Sequence, residues 1–361
     1  MPGGADIWVE AERQLTVCNS CRYCEGYCAV FPALERRSAF EIADTVYLAN
    51  LCHDCQACYQ ACMYAPPHEF AIDIPGLMSQ VRVLSYARSR FSPLLRGPVS
   101  AALASGLGLL LFLALVVADG RASRLTTAET GPGAFYAVVP YMAMLLPALA
   151  ASFVIAAILA GGALGLWRSA GGSAREALSW RPWAGALKDT LDLVYLRGGG
   201  PGCHYPDSRQ PSGARRRLHQ LVFWGFLVDL VSTIAAGFEQ DVLGVLPPYS
   251  LMSVPGLLGV LGGLAMVAGG LGLMALKFRA PVRQAARELL TLDYTFISML
   301  VLASLSGLIL RFYSETAAMP ILLLVHLGFL FGLYATAPYG KFAHAAYRFA
   351  ALGLNRAEAL R

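Results

Sequence analysis

Residues 18–28 read CNSCRYCEGYC and residues 52–62 read CHDCQACYQAC, so the spacing Cys-x2-Cys-x2-Cys-x3-Cys occurs twice. These runs use eight of the chain's nine cysteines. Three thiolates from one tight loop suit three irons of a cubane cluster, while the fourth cysteine, a turn later, points away and completes a neighbouring one. The spacing predicts two 4Fe-4S clusters with crossed ligation. Cys18, Cys21, Cys24 and Cys62 hold one, and Cys52, Cys55, Cys58 and Cys28 hold the other. Structural zinc sites lack a third cysteine at the next x2 step. Disulfides need an oxidising compartment, whereas the opening MPGGADIWVEAERQ has acidic residues and no apolar signal-peptide run. Cys24 and Cys58 are followed by Glu25 and Tyr59, not by the His of a c-type haem motif. The proline expected after each fourth Cys is replaced by Ala29 and Met63, a change that leaves the ligand count untouched.

Outward from the cysteines the chain becomes apolar. A 361-residue sequence with mean hydropathy +0.54 and 14% charged residues is too apolar for a soluble protein of that size. Residues 1–97 are polar by contrast and form the expected cluster domain. Six stretches long enough to cross a bilayer follow, at about 99–118, 136–166, 218–238, 254–276, 294–312 and 319–340. The expected fold is mainly α: a helical two-cluster ferredoxin-like domain, then a six-helix transmembrane bundle over 98–350 with a cytoplasmic loop at 167–217, and a tail at 351–361.

Loop charge sets the orientation. Arg36, Arg37, Arg82, Arg88, Arg90 and Arg96 lie before the first span, nine Arg or Lys lie in 167–217, and Lys277, Arg279, Arg283 and Arg287 lie in 277–293. The intervening loops hold Arg121 and Arg124 in one, none in 239–253, and only Arg311 bordering the last. By the positive-inside rule both termini and the clusters face the cytoplasm of a bacterial inner membrane. The net charge of +5 is spread over these loops and gives no argument for nucleic acid. The glycines of 254–276 suit close helix packing or room for a flat cofactor.

Soluble clusters joined to a membrane domain call for a carrier within the bilayer, and haem b held by two His on facing helices is the usual one. His53 and His68, among the cysteines, read as hydrogen-bonding loop residues. His219 follows Arg215, Arg216 and Arg217 at the start of the third span, and His344 ends the sixth, so the two lie at matching depth. That depth is what a bis-His haem requires, with Arg216 and Arg217 placed to pair with its propionates. On one continuous helix His326 would share a face with His344, five turns away. It is a candidate for a second haem, a quinone contact or simple packing. Asp229, ten residues past His219, is an intramembrane acid suited to proton transfer or a quinone contact.

Two resemblances rest on longer runs. HLGFLFGLYATAPYGKFAH (326–344) resembles the last helix of the cytochrome b subunits of respiratory nitrate reductase, in which two His at this separation ligate haem. Those subunits carry a second His where this chain has Asp229, which leaves His219 and His344 as the carried-over pair. CRYCEGYCAVFPALERR (21–37), YLANLCHDCQACYQACMYAPPHEFAIDIP (47–75), GGGPGCHYPD (198–207), RRRLHQLVFWGFL (215–227) and PYGKFAHAAYRFAAL (338–352) are similar to the tricarballylate or citrate utilization protein B family. Relatives often have two adjacent His near position 219, where Leu218 and His219 stand here. The resemblance implies an electron-transfer subunit of an oxidoreductase complex, not a catalytic subunit. It would carry electrons from a partner flavoprotein, a tricarballylate dehydrogenase-like enzyme holding FAD, through two 4Fe-4S clusters and haem b to membrane quinone. It also extends to the electron-transfer component of a flavin-linked precorrin-3B synthase in cobalamin synthesis. A membrane redox sensor is a reading of another class. No flavin fingerprint or P-loop occurs, and GGGPGCHYPD reads as a cytoplasmic turn in which Cys203 and His204 merit testing.

Overall fold

A computed structural model of the chain describes residues 4–86, 97–200, 202–206, 208–280 and 287–361. Arg88, Arg90, Arg96 and Arg283, which enter the loop-charge argument, lie outside the described residues. The described chain is mainly helical. Its one β feature among those residues is an isolated antiparallel bridge between Cys203 and Ser212.

The N-terminal part holds five helices: α1 (Gly4–Cys21), α2 (Val30–Glu35), α3 (Ile42–Leu51), α4 (Ala57–Ala61) and α5 (Ile74–Tyr86). Each motif sits where a helix stops. Cys18 and Cys21 occupy the last turn of α1, three residues apart and so on one face, and Arg22 at φ 55° turns the chain out of the helix. Cys52 caps the C-terminus of α3, and Asp54 (φ 53°) and Gln56 (φ 64°) then take left-handed conformations that curl the chain toward Cys55 and Cys58. Non-glycine residues persist there only when the surroundings over-determine them. A capping box between Glu41 and Asp44 starts α3.

Beyond α6 (Pro98–Ala118) come α7 (Ala134–Val138), α8 (Tyr141–Ser169), α9 (Ala174–Leu178), α10 (Trp180–Leu191), α11 (Ala214–Asp241), α12 (Val254–Phe278), α13 (Arg287–Phe312), α14 (Met319–Thr336) and α15 (Ala343–Glu358). Among the described residues six spans are long and apolar enough to cross a membrane: α6, α8, α11, α12, α13 and a last one running from α14 into α15. Pro140 lies outside the second span, as the residue before α8, while Pro147 stays within it. Residues 136–138, expected to open that span, belong to the separate short helix α7 instead.

The glycines of α12 serve close packing. A Cβ on Gly262 would fall 2.8 Å from the Gly225 carbonyl oxygen of α11, and one on Gly263 would fall 3.1 Å from Leu308 of α13. Absence of side chains lets the α11 and α12 backbones touch, which supplies the van der Waals contact that holds helices together in lipid.

The last span differs most from expectation. It is not one continuous helix through His326 and His344: α14 ends at Thr336, a 3-10 turn follows at Ala337–Tyr339, and α15 starts at Ala343. Pro338 removes a backbone donor and disfavours helix before it, so the ladder stops there. The 18 residues of α14 reach about 27 Å, enough to span the hydrocarbon core alone. α15 then packs outside the bundle. Its Ala351, Leu352 and Leu354 lie in the same core as Leu15 of α1, Val30 and Leu34 of α2, Leu48 and Leu51 of α3 and Met78 of α5. The stretch expected as a tail thus completes the cluster domain, as do α9 and α10 of the expected loop. Trp183 stacks between Trp167 (5.0 Å) and Phe349 (5.4 Å), and Arg356 forks onto Asp189 at 2.8 and 2.6 Å. Because the spans are even in number, α15 returns to the side on which α1 lies.

Glu358 fastens α15 to the N-terminal helices: Arg37 Nη2 reaches it at 2.7 Å, Arg36 Nη2 at 3.1 Å and the Tyr47 hydroxyl at 3.2 Å. Replacing Glu358 with Ala leaves Tyr47 and part of the guanidinium pair unanswered in a mostly buried site. The expected loss is about 2–3 kcal/mol of cluster-domain stability, measured by denaturant melts of the detergent-solubilised protein. A change within about 0.5 kcal/mol would show that Glu358 does not anchor α15.

Candidate metal centres

The eight cysteines sort into two groups. Cys18 lies within electrostatic reach of Cys62, Cys24 and Cys21, and a small cavity is lined by these four together with Phe31 and Ile72. Cys28, from the first run, lies instead by Cys55 and Cys52, and Cys58 by Cys55, Cys28 and Cys52. The turn that closes on Cys24 through the Tyr27 amide (3.0 Å) sends the chain into α2 and carries Cys28 away from its own run. The end of α4 brings Cys62 back toward α1.

Burial is the main influence on Cys18, Cys24, Cys28 and Cys58. It pushes Cys18 and Cys24 up to about 12, with neighbouring cysteines adding to the rise, and pushes Cys28 and Cys58 well above the ordinary thiol range. Crowded, desolvated thiols cannot ionise together without a cation among them. Iron in a cluster would supply that charge, because a bound metal deprotonates its thiol ligands outright. Among the described residues no three His, Cys, Asp or Glu side chains converge tightly enough for a single metal ion. Spread thiols are what a cluster needs, since each binds its own iron.

The second group is embedded in buried cations. Arg82 Nη1 donates to the Cys52 carbonyl at 2.5 Å, Arg348 Nη2 to the same oxygen at 2.6 Å, and Arg215 Nη1 to the Asp54 carbonyl at 2.5 Å. The ninth cysteine, Cys203, is buried beside Cys55, and its thiol donates to the Leu196 carbonyl at 3.0 Å. The His204 amide donates to the Cys55 carbonyl at 2.9 Å. Gly198 and Gly199, of the loop expected as a cytoplasmic turn, lie against both cysteine runs: a Cβ on Gly198 (φ 57°) would meet Ala57 at 3.4 Å, and one on Gly199 (φ 84°) the Tyr27 backbone at 3.1 Å. His53 and His68 are engaged in hydrogen bonds: Nδ1 of His53 lies 2.8 Å from the Leu51 carbonyl, and Nδ1 of His68 accepts from the Phe70 amide at 3.1 Å. Burial holds His53 well below its ordinary pKa, hence neutral.

α11 and α15 bring His219 and His344 together. Their ring centres are 6.3 Å apart, with ring planes at 82°. Metal–imidazole bonds of about 2 Å, plus about 1 Å from nitrogen to ring centre, put two imidazoles on opposite faces of one ion about 6 Å apart. Nδ1 of His344 lies 2.6 Å from the Lys341 carbonyl, an arrangement that leaves Nε2 as the free ligand atom. Nδ1 of His219 is buried without a partner, as are Nε of Arg82 and Nε of Arg348. Two imidazoles at this spacing, amid unanswered cationic donors, fit a haem with anionic side groups.

The expected propionate partners are placed elsewhere. Arg216 donates to the Asp192 carbonyl at 3.1 and 2.6 Å, and Arg217 is exposed. The cations within reach of His219 are Arg215, Arg348 and Lys341. Lys341 and Lys277 both pair with Asp293, the former at 2.8 Å. Deeper in the bundle, Nδ1 of His326 lies 3.0 Å from the Ser306 hydroxyl and its ring covers Gly307, both on α13. Asp229 faces Gly259 and Gly262 of α12. His326 and Asp229 thus pack against different helices. Sequence reasoning missed Arg82, Arg215, Arg348 and Asp293. A signal was present for two of them: Arg215 precedes His219, and Arg348 follows His344, by the four residues of one helical turn.

Residues 93–361 match the family model of citrate utilization protein B, and residues 11–88 match the citrate utilization protein B Fer4-like domain. A protein of Escherichia coli named citrate utilization protein B is 40% identical over 352 residues, covering 95% of this chain and 90% of that protein. No solved structure matches the chain.

Exposure differs sharply among the thiols, Cys21 being the exposed one. In iron-free, reduced protein at about pH 8, iodoacetamide should modify Cys21 first and the buried Cys52 and Cys55 last among the eight, as read by peptide mass spectrometry. Equal rates would contradict the burial described.

Proposed function

The chain belongs to the citrate utilization protein B family, and we propose that it is a membrane electron-transfer subunit linking a partner flavoprotein that holds FAD to the quinone pool. Its Fer4-like domain and apolar spans carry the coarse part of this statement, iron–sulfur chemistry at a membrane. The observation that carries the finer part is the approach of His219 and His344 to 6.3 Å beside the Cys52–Cys55 loop.

Cys18, Cys21, Cys24 and Cys62 would hold one 4Fe-4S cluster, Cys28, Cys52, Cys55 and Cys58 the second, and His219 and His344 a haem b. Bound there, these groups accept and release single electrons. The protein's part is to place and screen them. The apolar core that α15 completes excludes water, which limits reorganisation when charge moves. Arg82, Arg215, Arg348 and Lys341 balance the negative charge of thiolates and propionates in a low-dielectric site. Quinone would come from the lipid side, where a groove of about 580 Å³ between α6, α13 and α14 carries the hydroxyls of Tyr294, Thr295 and Ser298 on apolar walls. The basic loops support a cytoplasmic cluster domain in a bacterial inner membrane. The partner, by resemblance, is a tricarballylate dehydrogenase-like flavoprotein.

Replacing His219 or His344 with Ala should abolish the low-spin haem spectrum of the purified protein, whereas His326→Ala should retain it. An unchanged spectrum in both of the first two variants would refute the pair. Replacing Cys28 with Ser should alter the electron paramagnetic resonance signal of the cluster built on Cys52, Cys55 and Cys58. An alteration confined to the other cluster would refute the crossed arrangement.

A further inference from the structure

The loop bearing Cys52 and Cys55 is gripped by both helices that bring the two histidines together. On α11, Arg215 stands one turn before His219 and donates to the Asp54 carbonyl at 2.5 Å. On α15, Arg348 stands one turn after His344 and donates to the Cys52 carbonyl at 2.6 Å. Each arginine shares its helix face with its histidine, about 6 Å along the axis. The Cys18–Cys24 turn is differently situated: Cys21 is exposed, and Tyr23 and Met63 beside it are 59% and 62% exposed.

Resting on the function proposed above, we infer that the set Cys28, Cys52, Cys55 and Cys58 is the inner centre, coupled to His219 and His344 through Arg215 and Arg348 as positioning residues. The set Cys18, Cys21, Cys24 and Cys62 is the outer centre, which receives electrons from the flavoprotein. The two guanidinium groups fix the separation of the inner centre from the histidine pair, each through one hydrogen bond and one helical turn. They also place positive charge at that centre. With Arg82 on the same Cys52 carbonyl, three guanidinium groups hold this loop, and Arg82 and Arg215 lie within electrostatic reach of Asp54, its one acid. A net positive field favours the reduced form, which carries one more negative charge, so the inner centre has the higher midpoint potential. With clusters on these cysteines and a haem on His219 and His344, the outer set would pass one electron to the inner set, and the inner set one electron to the haem. The direction is set by the charges around the Cys52–Cys55 loop.

The test uses the full chain, loaded with iron and haem and held in nanodiscs, as wild type, R215Q, R348Q, R215K and R348K. Both clusters are titrated by electron paramagnetic resonance, with C21S and C58S assigning the outer and inner signals, and haem is titrated by absorbance. Both Gln variants should lower the inner midpoint and leave the outer one unmoved, and should slow haem reduction from the clusters about tenfold. The Lys variants, which keep the charge, should restore the inner midpoint; a purely structural role would leave Lys and Gln variants alike. If one Gln variant fails to assemble, the other, acting on a different carbonyl, carries the same comparison. An outer midpoint that moves as far as the inner one, or an inner midpoint that stays fixed, overturns the inference. Wild-type protein without cluster or haem signals would instead bring down the function proposed above.

Discussion

A thiol taken out of water resists ionisation, and several of them gathered within one small domain resist it together. Burial alone pushes Cys18 and Cys24 far into the alkaline range, and neighbouring sulfurs push in the same direction. The domain answers on two fronts. It spaces the sulfurs so that each can meet a separate iron, and it rings the more deeply buried group with guanidinium groups whose hydrogen bonds end on backbone carbonyls. Those carbonyls belong to a loop with two left-handed non-glycine residues, a conformation that needs outside support. Arg82, Arg215 and Arg348 give it that support from three different helices.

The membrane half follows a different rule. Lipid offers no hydrophobic drive between helices, so α11 and α12 meet through missing side chains and not through large ones. Close contact of these two helices fixes the rotation of α11. The rotation decides where His219 points. At the boundary with the cluster domain, Asp293 gathers Lys277 from α12 and Lys341 from the turn before α15, so three separate segments are pinned at the level of the histidine pair. A buried acid between two lysines is costly unless all three are held together, and it therefore specifies one arrangement of those segments.

The parts legible in the sequence were those written in local repetition. The doubled cysteine spacing and the runs of about 20 apolar residues each carry their meaning within a single segment. The apolar runs also gave an even number of spans, which puts the two chain ends on one side. Less legible was anything that depended on where a helix stops. Pro140 and Pro338 both mark ends that a hydropathy window reads straight through, and the second hides the break after which α15 packs against the N-terminal helices. Its residues look like a tail because alanine and leucine alternate there with arginine and asparagine. Only against α1, α2 and α3 does that pattern become a core face. The arginine contacts were invisible for a similar reason, since a guanidinium that binds a carbonyl leaves no trace in the partner's side chain.

The position of α15 in the cluster-domain core also sets an order of manufacture. α1 to α5 leave the ribosome before α15, yet the core that holds Leu15, Leu48 and Leu51 also takes in Ala351, Leu352 and Leu354, made about 300 positions later and after the intervening spans. During that interval the domain is a half-built shell with its sulfurs within reach of whatever delivers iron. Closure by α15 brings Arg348 and His344 to the domain in the same movement.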